Sequence, residues 1–380
     1  MPYESVDQLQ KALTDNVFGY AKDSKKAAGR ALGTIVEIIT FYLLESWGLN
    51  NSVSIEKKIP EFGNPGITHN VEYSLHPIYS EHIINIANDG KSLTSNKLLR
   101  VLDSQRGSAD FKILSNSLLS QGGILRNACT IAANSEAYLV ASIREKSDER
   151  FVISVAEQGV IPFAIFECKR VGVEEGTKKG PQTIEKAKQG AYVARAVSSL
   201  QKVRLENGEM YGIIYRDGIV SHSAPYHELL DEVINSDDPL LLRNFVLTVG
   251  VVSNHGNWFT AEDHNKELKV LAQSYDWLIF LTDEGITEFI DEVIFNPPPE
   301  YQEIRNAFLA SYALDKKKNQ FTKVQMNIAA HLQLLDYFSA NANRIETWFN
   351  VIAPPSSGTL NKLRKEIKIL QSKNWKEILK

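Results

Sequence analysis

Apolar residues recur at helical spacing between residues 24 and 46, with Leu32, Ile35, Val36, Ile39, Leu43 and Leu44 on one stripe. The spacing predicts a helix that stops at Trp47-Gly48-Leu49, where glycine can take the left-handed cap. From about 50 to 100 the pattern is interrupted by Pro60, Gly63, Pro65 and Gly66, and HNVEYSLHP reads as a short strand. The middle is more regular. Three β-branched or aromatic runs at 138–143, 150–155 and 161–168, separated by polar turns, predict a meander in which the second and third form a hairpin. Pro181 opens a helix to about residue 200, since proline fits only the first turn. Strands are expected at 210–215, 244–252 and 277–282, and helices at 261–273, 300–314 and 320–349. Two proline breaks, Pro297-Pro298-Pro299 and Pro354-Pro355, set off the end of the chain. The expected architecture is α/β, with a mixed central sheet flanked by helices over 1–295 and a largely helical portion over 296–380.

The densest chemistry lies in PFAIFECKR, residues 162–170. In an extended strand Glu167 and Lys169 project from one face and Cys168 from the other. A carboxylate and an ammonium then stand side by side at the end of an apolar strand. Such a pair is suited to phosphodiester hydrolysis: the carboxylate holds a divalent cation, and the lysine orients or helps deprotonate a water and balances charge at the phosphate. A strand that simply reaches solvent and ends in an ion pair has the same local sequence.

A metal site needs a second carboxylate, and two are available. Asp148 precedes the 150–155 strand, so a hairpin with 161–168 would bring it beside Glu167. Asp110, in RGSADFKIL, opens another short apolar run about forty residues earlier and reaches the same place only across an insertion. The residue types alone do not choose between them. Glu37 is also unusual, because it sits between Val36 and Ile38 in an apolar helix, where a buried carboxylate needs a cation or a lysine such as Lys169.

Glu167-Cys168-Lys169 resembles the E-x-K element of the PD-(D/E)xK nuclease superfamily, which includes most type II restriction endonucleases. Asp148 matches the short spacing usual for the family's first acid, and Asp110 better matches its small-residue-then-Asp-then-apolar surroundings; the consensus proline is absent at both. The first helix, GRALGTIVEIITFYLLESWGL, resembles the family's N-terminal helix, with Glu37 at the place of its glutamate. The likeness is confined to that helix and roughly residues 107–195. It implies a restriction-endonuclease-like core and a Mg2+ ion held by Glu167, by Asp148 or Asp110, and by the backbone carbonyl of Cys168. It also implies backbone contacts to DNA from the following loop and helix, for which Lys178, Lys179, Lys186, Gln189 and Arg195 are the candidates. The expected activity is site-specific cleavage of double-stranded DNA by a homodimer, alongside a cognate DNA methyltransferase; the alternatives are a structure-specific repair or recombination nuclease and a noncatalytic DNA-binding protein with a nuclease-like fold.

Composition changes little of this. The net charge of -4 argues against a protein that coats nucleic acid, but a local basic cleft is still possible, and lysines gather at 22–26, 169–188, 316–318 and 362–380. Cys129 and Cys168 cannot build a disulfide framework and no Cys/His group has zinc spacing, which suits a reducing cytoplasm. No leader-like start and no membrane-length apolar run are evident, so no membrane partner is expected. A GxxxxGK[ST] loop is lacking, so ATP-driven translocation is not expected.

Overall fold

A computed structural model describes residues 6–18, 22–61, 63–104, 110–171, 188, 191–192, 194, 198–254, 266–312, 319–355 and 358–380. It is a mixed α/β protein whose chain divides into two compact units, each assembled from separate stretches. The first comprises Met1–Ile55, Ile78–Ile161 and Thr282–Trp348; the second comprises Glu56–Pro77, Pro162–Leu281 and Phe349–Lys380. The division therefore does not fall at the expected boundary of 295. The end of the chain is mainly helical, yet its strand Phe349–Ala353 completes a sheet of the second unit.

The first unit is centred on the helix Ser24–Ser46. Asp23 caps it by accepting from the Lys26 N–H, and the chain leaves through Gly48 at φ 69°. Its buried stripe includes Leu32, Ile35, Val36, Ile39, Leu43 and Leu44. Contrary to the sequence expectation, this helix is long and apolar enough to cross a membrane, but two-thirds of its most apolar window is buried within the protein, as in a core helix. It packs on the helices Val6–Asn16 and Ile328–Ala340. In this core the Tyr42 hydroxyl lies 2.9 Å from His331 Nδ1, and burial pushes the His331 pKa down to about 4. Above pH 6.5 this histidine is neutral whether folded or unfolded, so its environment adds no pH dependence there. As pH falls from 6.5 towards 4 the unfolded chain takes the proton first, and stability on the order of 3 kcal/mol is lost. Urea unfolding should accordingly show a steeper loss of stability between pH 7 and 4.5 in the parent than in His331→Gln.

The unit also holds an antiparallel sheet in the order Ile78–Ala87, Arg150–Gly159, Ala137–Lys146, Cys129–Ala133, Lys112–Ile113. The expected meander is thus only half present. Arg150–Gly159 does form a hairpin with Ala137–Lys146, but its other edge is taken by Ile78–Ala87, with Ile153 opposite Ile84. With both edges paired it cannot also pair with the strand that follows. The chain passes into the second unit at Ile161-Pro162.

The second unit is built on a mixed sheet in the order Val53–Glu61, Asn64–Leu75, Ala164–Val171, Leu247–Asn254, Trp277–Leu281, Phe349–Ala353, to which the first strand contributes from Glu56 onward. The three central strands are parallel, with Glu167 opposite Gly250 and Gly250 opposite Leu278. Every residue of Leu247–Asn254 and Trp277–Leu281 is buried, which is why they read as unbroken apolar runs instead of alternating ones. Asn64–Leu75 pairs antiparallel with Ala164–Val171, so the E-x-K strand lies inside a sheet and its neighbour comes from much earlier in the chain.

Candidate active site

Ala164–Val171 enters the sheet as a buried run and loses its cover only at Lys169 and Arg170. Glu167 is therefore a carboxylate inside the fold, with its side chain 6% exposed, and it requires a cation. Lys169, two residues on and on the same face, supplies one at 3.2 Å from Glu167 Oε2.

The second acid is Glu72. Paired residues run from Ala164 opposite Leu75 to Phe166 opposite Tyr73. One step further, antiparallel register puts Glu72 and Glu167 side by side on one face. At that step the Cys168 N–H donates to Glu72 Oε2 rather than to a backbone carbonyl. The Glu72 side chain thus takes the place of a ladder partner where the strands part. Its other oxygen lies 3.4 Å from Lys169 Nζ. Two carboxylates from two strands converge on one ammonium. Burial acts to lower the Lys169 pKa, but Glu72 and Glu167 together outweigh it and hold the group protonated well above its ordinary range. In this arrangement Lys169 is a fixed positive charge and a proton donor, not a base.

The neighbouring strands are locked in place. Asp276, buried just before Trp277–Leu281, accepts from the Thr248 N–H and hydroxyl, each at 2.8 Å, and from the Tyr226 hydroxyl. Gly250, opposite Glu167, has no room for a side chain, because a Cβ there would lie 2.8 Å from both Leu278 and Tyr275. Gly250→Ala should cost about 1–3 kcal/mol through overpacking, read as a lower urea midpoint.

The other expected site residues belong to the first unit or fall outside the described residues. Asp148 is exposed in the turn between Ala137–Lys146 and Arg150–Gly159, where Ser147 Oγ accepts from the Glu149 and Arg150 N–H groups. It belongs to the first unit, and the hairpin that would have set it beside Glu167 does not form. Asp110 is likewise exposed in the first unit, before the edge strand Lys112–Ile113. Glu37 pairs with Lys323 of the same unit at 3.3 Å, so a lysine other than Lys169 faces it. Lys178, Lys179, Lys186, Gln189 and Arg195 lie outside the described residues. In the same region Lys188 Nζ lies 5.7 Å from the centre of the Tyr192 ring.

Sequence reasoning passed over Glu72, although HNVEYSLHP was read as a strand. The available signal was a carboxylate between Val71 and Tyr73 in a stretch otherwise suited to burial, the same anomaly that drew attention to Glu37.

Among the described residues no group of three or more His, Cys, Asp or Glu side chains is placed to hold a metal. Glu72 and Glu167 nonetheless suit Mg2+, which keeps much of its water and binds through one or two carboxylates plus substrate oxygens. Both already face a cation in Lys169. Compared with protein-family models, curated proteins and solved structures, the chain matches none.

Proposed function

We propose that this protein is a Mg2+-dependent nuclease that hydrolyses phosphodiesters in double-stranded DNA, and that it acts as a type II restriction endonuclease of the PD-(D/E)xK kind. The observation that carries this reading is the convergence of Glu72, Glu167 and Lys169 where two strands part inside a mixed sheet. Glu72 stands in the place of the motif's first acid, ahead of Asp148 and Asp110, and Glu167 and Lys169 form the E-x-K.

In the proposed reaction Glu72 and Glu167 hold the ion. Bound there, Mg2+ would polarise the phosphate and make a water more acidic. Lys169, 3.2 Å from Glu167 Oε2, supplies the positive charge that this buried carboxylate faces. Lys169 itself, charged at neutral pH, orients the attacking water and offsets charge on the phosphate oxygens, as a preorganised cation does at low cost during reaction. Deprotonation of the water is left to the carboxylates or the phosphate. Recognition of a symmetric site would be by a homodimer, and host DNA would be protected by a partner methyltransferase.

Digestion of several unmethylated plasmid and phage DNAs with Mg2+ tests the reading. Discrete fragments would support it, and intact DNA in every lane would overturn it. Lys169→Met separates binding from chemistry. With the internal cation gone, calorimetry should show Ca2+ binding at least about tenfold tighter, while cleavage with Mg2+ falls.

A further inference from the structure

The second unit carries a separate antiparallel sheet in the order Leu200–Arg204, Met210–Arg216, Ile219–Pro225. Residues directly opposite each other share a face, so the register sorts its side chains. On one face Leu200 stands opposite Ile214 and Lys202 opposite Gly212. The helix Tyr226–Asn235 covers that face: a Cβ on Gly212 would lie 2.9 Å from Leu229, and His222, opposite Ile214, lies 2.9 Å from Glu232. On the other face Val203 stands opposite Tyr211, Gln201 opposite Ile213, and Tyr215 opposite Val220. Val203 and Val220 are exposed there and the other four are half-buried.

The outward face of such a sheet is ordinarily polar. In these three pairs it is mainly aliphatic and aromatic, and it carries no charge. Among the described residues nine large apolar side chains are exposed, and five of them lie on this sheet, in its turns or on the adjoining helix Pro239–Leu242: Val203, Leu205, Ile219, Val220 and Leu240. Apolar surface gathered in one place marks an interaction site.

We propose that this face associates with the same face of a second copy of the chain. Charge selects the occupant. A DNA backbone needs cations to meet it, and the three pairs offer none. Packed against itself about a two-fold axis, an uncharged face brings no like charges together. At one end Asp217 and Arg243 border the cavity that Gln201, Tyr215 and Leu240 also line, and Arg243 Nε donates to the Ile378 carbonyl at 3.4 Å. One charge of each sign there suits a polar rim that meets its own copy. Three strands about 4.8 Å apart and five residues of about 3.4 Å each give a patch of roughly 14 by 17 Å. That is small for a specific interface, so the dimer is a weak one that forms with rising concentration.

Sedimentation equilibrium of the full chain, without DNA or divalent ions, tests this at loadings from about 1 to 200 µM. The parent should move from monomer towards dimer across that range, and equally so in about 0.1 M and 0.5 M salt, because an apolar contact is not screened. Val203→Glu and Val220→Glu change exposed positions and should each weaken association at least about tenfold with the melting temperature unchanged. Ile83→Glu, at a position 49% exposed on the first unit, should associate as the parent does. A parent that stays monomeric throughout, or a dimer that both face variants leave intact, would overturn the proposal. The outcome is independent of the nuclease reading, since a protein that dimerises through this face yet cuts no DNA would sink that reading alone.

Discussion

Glu72→Gln is expected to lower the rate of Mg2+-dependent DNA cleavage by at least about a thousandfold, while Asp148→Asn and Asp110→Asn change it by less than about twofold. The contrast follows from where the strands pair. Glu72 shares Lys169 with Glu167, whereas Asp148 and Asp110 lie on exposed turns of the other unit. Glutamine is the informative replacement, because its side-chain carbonyl can still accept from the Cys168 N–H that Glu72 Oε2 now accepts from. The strand junction is then preserved and only the charge is lost. Plasmid cleavage should collapse with a melting temperature close to the parent's. Full activity in Glu72→Gln together with its loss in Asp148→Asn would show that the second acid had been misplaced. Glu167→Ala should match Glu72→Gln in cleavage.

The largest expected effect on stability comes from Asp276→Ala. Its carboxylate satisfies the Thr248 N–H, the Thr248 hydroxyl and the Tyr226 hydroxyl, and both Asp276 and Thr248 are almost wholly buried. Removing it strands three donors that water cannot reach, and each buried unsatisfied group costs about 1–3 kcal/mol. Since some will find other partners on relaxation, a loss of roughly 3–5 kcal/mol is expected, measured by urea unfolding at pH 7. Asp276→Asn should cost less, because its amide oxygen keeps one acceptor. A change below about 1 kcal/mol in Asp276→Ala would mean that these donors have other partners. Thr248 lies on the strand beside Ala164–Val171, so the latch also holds the wall against which Glu167 is set. A partly folded Asp276→Ala protein should therefore lose cleavage more steeply than it loses helix content.

Both predictions depend on the point at which local pattern stops being informative. The helix Ser24–Ser46, the hairpin of Ala137–Lys146 with Arg150–Gly159, and the strands Met210–Arg216, Leu247–Asn254 and Trp277–Leu281 were legible because each carries its own periodicity and turn chemistry. The long helix expected over 320–349 was legible only in part. Asn327 and Asn341 interrupt it, the first by capping Ile328–Ala340 through the N–H groups of Ala329 and Ala330. The Glu167–Lys169 pair was readable as well, since alternation along one strand is enough to set the two side by side.

The partner of that pair was not readable. A strand's own residues say that it has two edges, not which strands take them. Arg150–Gly159 is adjacent in sequence to Ala164–Val171 and has a suitable pattern, so a hairpin was the natural inference. Ile78–Ala87 occupies the edge that such a hairpin would use, and the site's second acid comes instead from a strand 96 residues before Cys168. Glu37 shows the same division. Its sequence announced a carboxylate that needs a cation, but only the packing of the first unit assigned that cation to Lys323. The amino-acid sequence by itself determined those elements that carry a clear period of two or 3.6 residues, and the chemistry on them, but not strands such as Val53–Glu61 and Ile78–Ala87. Tertiary structure alone decided which carboxylates meet, because strand pairing is settled by long-range competition for sheet edges and burial that no local window contains.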